Sequence, residues 1–142
     1  METSLHKRFG TDAALEQEGV WVDFGDGLQL RIIADSVGRV RDLRQRLQYG
    51  KYRSYYLRMN IPPHVEDAVN IEIATALITD WRGVTNGDGS AIPCAPEAVR
   101  QVMTDLRELR ANVLFAASTA ETFRRQEVEV MAKNSATPST PA

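Results

Sequence analysis

The clearest alternation of apolar and polar residues lies in Val20-Trp21-Val22-Asp23-Phe24 and Leu28-Gln29-Leu30-Arg31-Ile32-Ile33. Both runs are rich in β-branched and aromatic side chains. Gly25-Asp26-Gly27 between them supplies the positive φ of a tight turn, so the pattern predicts a β-hairpin over about residues 20–33. Val20, Val22 and Phe24 then share a core face with Leu28, Leu30 and Ile32, while Trp21 and Asp23 point the other way. Two strands alone are marginal in water, so helices must cover that face.

Elsewhere the spacing is helical. Thr11 or Asp12 caps a short helix through Ala13-Ala14-Leu15-Glu16, which Gly19 stops. Ser36 is the expected N-cap of an amphipathic helix over about 36–48, with Val37, Val40, Leu43 and Leu47 on one side and arginines on the other. Periodicity is lost from Lys51, and Ile61-Pro62-Pro63 closes a connector. From His64 the apolar positions Val65, Ala68, Val69, Ile71, Ile73, Ala76, Leu77 and Ile78 predict a largely buried helix over 64–80, ending near Asp80-Trp81 with Gly83 as a left-handed stop. Thr85 to Ser90 reads as a turn cluster, and Ala91 to Ala95 as an extended return to Pro96. Helices over 96–106 and 108–131 follow, the second with a break at Ser118-Thr119. Residues 1–10 are expected to be flexible, and Lys133 to Ala142, rich in Ser, Thr, Ala and Pro, to be disordered. The expected fold is α+β and mostly helical: an N-terminal hairpin packed on four to five helices in one domain over 11–132.

A chain of 142 residues with 43% hydrophobic content supports one modest core. The net charge of -2 demands neither nucleic acid nor membrane as partner. That average hides a strongly basic stretch. Arg39, Arg41, Arg44, Arg46, Lys51, Arg53 and Arg58 face a single acidic residue, Asp42, so this stretch carries about +6. Cys94 is the one cysteine, which excludes an internal disulfide and fits a reducing compartment. No apolar run reaches the length of a membrane span, and Met1 to Arg8 lacks the apolar segment of a signal peptide.

Groups suited to catalysis are scarce. His6 and His64 are far apart in sequence, and His64 with Glu66 and Asp67 reads as the solvated start of a helix, where acidic residues meet the dipole. Cys94 has no neighbouring histidine and reads as a structural thiol. Asp80, Asn86 and Asp88 lack the ligand alternation and the closing glutamate of a calcium loop. No catalytic, cofactor or metal site is expected. Tyr49, Tyr52, Tyr55 and Tyr56 interleave with the cations, a pattern shared by single-strand nucleic-acid surfaces, solvated arginine faces and protein-interface hot spots.

The ordered set of features resembles the tail assembly chaperones of long-tailed bacteriophages, encoded before the tape-measure protein. Gly19 to Gly27, including Trp21, is similar to that family's opening hairpin. Ala74 to Val84, ending in Asp80-Trp81-Arg82-Gly83-Val84, is similar to its central helix and tryptophan-glycine turn. Asn86-Gly87-Asp88-Gly89, Ile92-Pro93, Pro96-Glu97-Ala98-Val99, Phe115-Ala116-Ala117-Ser118 and Glu121-Thr122-Phe123-Arg124 follow in order, so the similarity spans about residues 16–134. The resemblance implies a non-enzymatic protein of the host bacterial cytoplasm, absent from the mature virion. It would bind the tape-measure protein, keep it soluble and help recruit the major tail protein, with some weak self-association. The expected contact residues are Arg39, Arg41, Arg44, Arg46, Tyr52, Arg53, Tyr55 and Tyr56, joined by Phe115 and Phe123 of the later helices. The alternatives are a minor tail or connector protein of the virion, and a small nucleic-acid-binding protein using the basic tyrosine-rich stretch.

Overall fold

The computed structural model describes residues 2–124. The hairpin forms as its pattern dictates, with β1 (Val20–Gly25) antiparallel to β2 (Leu28–Ile32). Asp26 and Gly27 make the two-residue turn at φ 53 and 81, a geometry whose twist matches that of the strands. Asp23 accepts a 2.8 Å hydrogen bond from Gly25 N and steadies the approach to the turn.

The sheet has a third strand that the sequence pattern did not reveal. The helix predicted over 64–80 stops earlier: α5 spans Pro63–Leu77, and Ile78–Arg82 is β3, paired antiparallel with the other edge of β2. Strand order is β1-β2-β3. Val20, Ile32 and Ile78 line up across the inner face, as do Val22, Leu30 and Trp81. The outer face carries the rows Trp21-Arg31-Asp80 and Asp23-Gln29-Arg82, and the Arg82 guanidinium lies 3.8 Å from the Trp21 ring centre. Trp81 therefore anchors a strand rather than capping a helix. Gly83 does adopt a positive φ of 79, but at the end of β3, where any side chain would run into the Gly27 carbonyl oxygen.

The helices cover the inner face. Pro63 begins α5 at a position whose amide needs no helical partner, and Val65, Val69, Ile73, Ala74 and Leu77 form its buried stripe. α6 (Pro96–Asp105) contributes Val99 and Met103, and α7 (Arg107–Ser118) contributes Val113 and Ala117. Beyond β2 the chain runs extended through Ile33, Ala34 and Asp35, whose amides donate to Leu77 O, Glu16 O and Ala117 O, each at 3.0 Å. Three helices are thereby fastened to one segment.

Several local expectations shift. Residues preceding Gly10 form a short helix, α1 (Ser4–Phe9), capped by Thr3 and His6 in reciprocal hydrogen bonds. α2 (Ala13–Glu18) is capped by Asp12 as its sequence predicts, Oδ1 accepting from Ala14 N and Leu15 N. Ser36 does not cap α3 (Gly38–Arg46); its hydroxyl donates to Glu16 instead, at 3.1 Å. The connector from Lys51 contains α4 (Arg53–Leu57), reached through a π-helical turn over Leu47–Lys51. The last predicted helix ends at Ser118, where the hydroxyls of Ser118 and Thr119 both donate to Phe115 O. A 3-10 turn, Ala120–Phe123, then drives Phe123 into the core, 2% exposed. Residues 125–131 of that predicted helix and the tail over 133–142 lie outside the described residues.

Candidate protein-binding surface

The basic stretch folds into one continuous helical unit. Val40, Leu43 and Leu47 turn α3 toward the core, which leaves Arg39, Arg41 and Arg46 exposed and Arg44 half-buried. At Leu47 the helix widens. Tyr52 N donates to Leu47 O at 2.9 Å, five residues back, and the extra residue re-aims the chain into α4. Tyr52 and Tyr56 lie half-buried against the core, whereas Tyr49 and Tyr55 stand outside; Tyr55 meets His64 edge to face at 6.3 Å. α4 buries none of its residues.

Beyond α4 the chain turns back through Met59, a side-chain-bearing residue at φ 52 that is 89% exposed. Met59 N donates to Tyr56 O and Asn60 N to Tyr55 O, at 3.2 Å each, so the turn is fixed. Leu57, the last residue of α4, is 61% exposed, and Ile61 on the connector is exposed too. Of the nine large exposed hydrophobics among the described residues, five (Tyr49, Tyr55, Leu57, Met59 and Ile61) fall in the thirteen positions from Tyr49 to Ile61, which makes this segment the candidate contact surface.

Its cations are uncommitted. Among the described residues, Arg39, Arg41, Arg44, Arg46, Arg53 and Arg58 form neither an ion pair nor a side-chain hydrogen bond, and Lys51 only leans over the Tyr52 ring at 5.4 Å. Arginines further along the described residues are engaged. Arg100 grips Glu72 with two bonds of 3.0 Å, Arg107 and Arg110 share Asp67, and Arg124 reaches Glu121. The side chain of Arg110 is the buried charge of the core: besides Asp67 it donates to Met103 O at 2.8 Å.

Of the ten contact residues expected from sequence, eight fall in the α3–α4 segment, with Tyr52 and Tyr56 partly spent on packing. Phe115 stands 71% exposed on α7, which packs on α5, α6 and β2. Phe123 is a core residue and is withdrawn from the contact set. Trp81 is likewise buried, Nε1–H donating to Ile92 O at 2.7 Å. Leu57, Met59 and Ile61 were missed, although three apolar residues at every second position in an aperiodic connector are a readable sign.

Groups with catalytic potential are used structurally. His6 closes the cap of α1, and His64 packs on Tyr55. Cys94, half-buried in a cleft of about 390 Å³ between α3, α5 and α6, is pushed above its ordinary pKa by burial and then by the nearby Asp80 carboxylate. Asp88 is held below the usual range by hydrogen bonds from the Ser90 hydroxyl and amide, so it serves its turn. Among the described residues no three His, Cys, Asp or Glu side chains stand as a metal site, and no helix is long and apolar enough to cross a membrane.

The family model described as YdaY prophage protein matches residues 39–134. The chain belongs to the YdaY prophage protein family. Its origin is therefore phage, in agreement with the setting implied by the sequence resemblance, while the family description names no assembly role. The match begins at the first cation of α3 and takes in the whole α3–α4 surface; the hairpin precedes it. No curated protein and no solved structure matches the chain.

Proposed function

We propose that this YdaY-family protein is a phage tail assembly chaperone: it binds the tape-measure protein, keeps it soluble in the host cytoplasm, helps bring in tail-tube subunits and leaves before the virion is complete. The observation that supports this reading is the α3–α4 segment, where cations without a partner among the described residues and exposed apolar side chains share one stretch of the chain. A client-holding protein needs such a face. Apolar contacts of modest area bind weakly and repeatedly along a long helical chain, and charges around them set capture and release rates. The role is one of binding rather than catalysis.

Co-expression with the tape-measure gene of the same prophage tests the proposal. The expected result is a soluble tape-measure product that co-purifies with the protein, and mass spectrometry of purified virions that lacks it. A client equally insoluble with and without the protein refutes the chaperone role. Stoichiometric recovery in virions replaces it with that of a structural tail component.

A further inference from the structure

The α3–α4 surface also says what kind of molecule it receives, an inference that rests on the binding role proposed above. Its charge is the first argument. Six arginines and Lys51 are opposed locally by Asp42 alone, and none is neutralised by an ion pair within the described residues. An excess of like charge in one stretch of the chain creates a positive field, and an anionic partner lowers its energy. The partner is therefore acidic.

The second argument is the apolar part. Leu57, Met59 and Ile61 are aliphatic and exposed, and a nucleic-acid strand has little use for them, since it binds through phosphate pairing and base stacking. Of the four tyrosines that would supply stacking platforms, Tyr52 and Tyr56 are half-buried against the core. Aliphatic side chains beside cations match a peptide that is itself apolar on one side and acidic on its flanks.

The third argument is the backbone. The π-turn and α4 already spend their amides on Leu47 O, Tyr52 O, Ser54 O and Tyr56 O, so this segment offers no open strand edge. A ligand on α4 meets side chains rather than a strand edge, and a helix can bind so without leaving its own amides unpaired. Met59 suits a run of related segments rather than one sequence, because an unbranched thioether adapts to differing neighbours.

We infer that the α3–α4 segment, with Leu57, Met59 and Ile61 as its apolar seat and Arg53 and Arg58 beside it, is the docking site of an acidic amphipathic helix of the client.

The test uses the full chain and four fluorescent probes: a 20-residue amphipathic helical peptide with leucine on one face and glutamate on the flanks, its lysine counterpart, a scrambled peptide of the same acidic composition, and a single-stranded oligonucleotide of equal charge. The glutamate amphipathic peptide should bind most tightly, and more weakly as salt rises. The double variants Arg53→Glu/Arg58→Glu and Leu57→Ser/Met59→Ser should each weaken it by about tenfold or more, with unchanged circular dichroism melts, because all four residues are exposed. Equal binding of the lysine or scrambled peptide, equal or tighter binding of the oligonucleotide, or indifference to both double variants overturns the inference. The chaperone reading fails separately. If the tape-measure product stays insoluble while the acidic helix binds, the surface stands and the role falls; if the client is solubilised equally well by both variants, the role stands and this docking site falls.

Discussion

Replacing Trp81 tests how the third strand is held. The indole is 7% exposed, lies in the row with Leu30 and Val22, and donates to the Ile92 carbonyl at 2.7 Å. Burying roughly 200 Å² of ring at about 25 cal/mol per Å² contributes on the order of 5 kcal/mol. Alanine keeps a small part of that, and the cavity relaxes only partly, so Trp81→Ala should cost about 3–5 kcal/mol. Trp81→Phe keeps most of the ring and loses the donor, leaving the Ile92 carbonyl unpaired, at a cost of about 1–2 kcal/mol. Urea unfolding followed by far-UV circular dichroism reads both. With a slope near 2 kcal/mol per molar, the alanine variant should lower the midpoint by roughly 2 M and the phenylalanine variant by about 0.5–1 M. The reasoning fails if phenylalanine costs as much as alanine, since the hydrogen bond would then outweigh the packing. It also fails if alanine costs less than about 2 kcal/mol, because the ring would not then be the anchor of β3.

Other positions give independent checks. Gly83→Ala combines a left-handed backbone with a collision at the Gly27 carbonyl and should cost about 3 kcal/mol or more in the same melt, whereas Gly27→Ala, which meets open space, should cost only about 1–2 kcal/mol. Arg110→Met should cost about 1–3 kcal/mol, mainly for the stranded Met103 carbonyl, because Asp67 is 40% exposed and keeps Arg107 as an ion partner. The raised pKa of Cys94 keeps the thiol protonated to higher pH, so its reaction with a disulfide reagent should be slower than that of a free thiol at pH 8 and climb to its plateau at higher pH. Asp80→Asn removes the second cause of the shift and should move that rise to lower pH; no movement would show that Asp80 is not felt.

The parts of the fold written in local periodicity were legible. The hairpin, its turn and its inner face follow from alternation around Gly25-Asp26-Gly27, and α6 follows from Pro96, Val99 and Met103. β3 was hidden because Ile78 continues the apolar run of α5 without a break. Its burial also does not alternate: Thr79 and Asp80 are both exposed, owing to the irregularity between Arg31 and Ile32 on the partner strand. Phe123 was misread for a related reason. Its spacing places it on the apolar stripe with Leu109 and Val113, yet it was expected among the contact residues; the chain leaves the helix at Ser118 and a 3-10 turn, Ala120–Phe123, buries the ring. On the candidate surface the cations were visible as a charge imbalance in the sequence, but their lack of partners was not, since pairing depends on which acidic residues the fold brings near.

The late arrival of β3 bears on how the chain is made. β2 is the central strand, yet one of its neighbours comes from far along the chain: Thr79 donates to the carbonyl of Arg31, 48 residues away. During synthesis the hairpin is complete long before Trp81 has been added, so β2 waits with a bare edge and an apolar face uncovered. Closing that distance is thermodynamically mild, about 0.6 kcal/mol per doubling of loop length, but it is a slow, non-local step. Formation of α5, a local event, returns Ile78–Arg82 to the sheet. Between those two moments the nascent chain exposes the features that drive aggregation, an open strand edge and unburied Leu30 and Ile32, and a pause in translation there would lower the yield of folded protein.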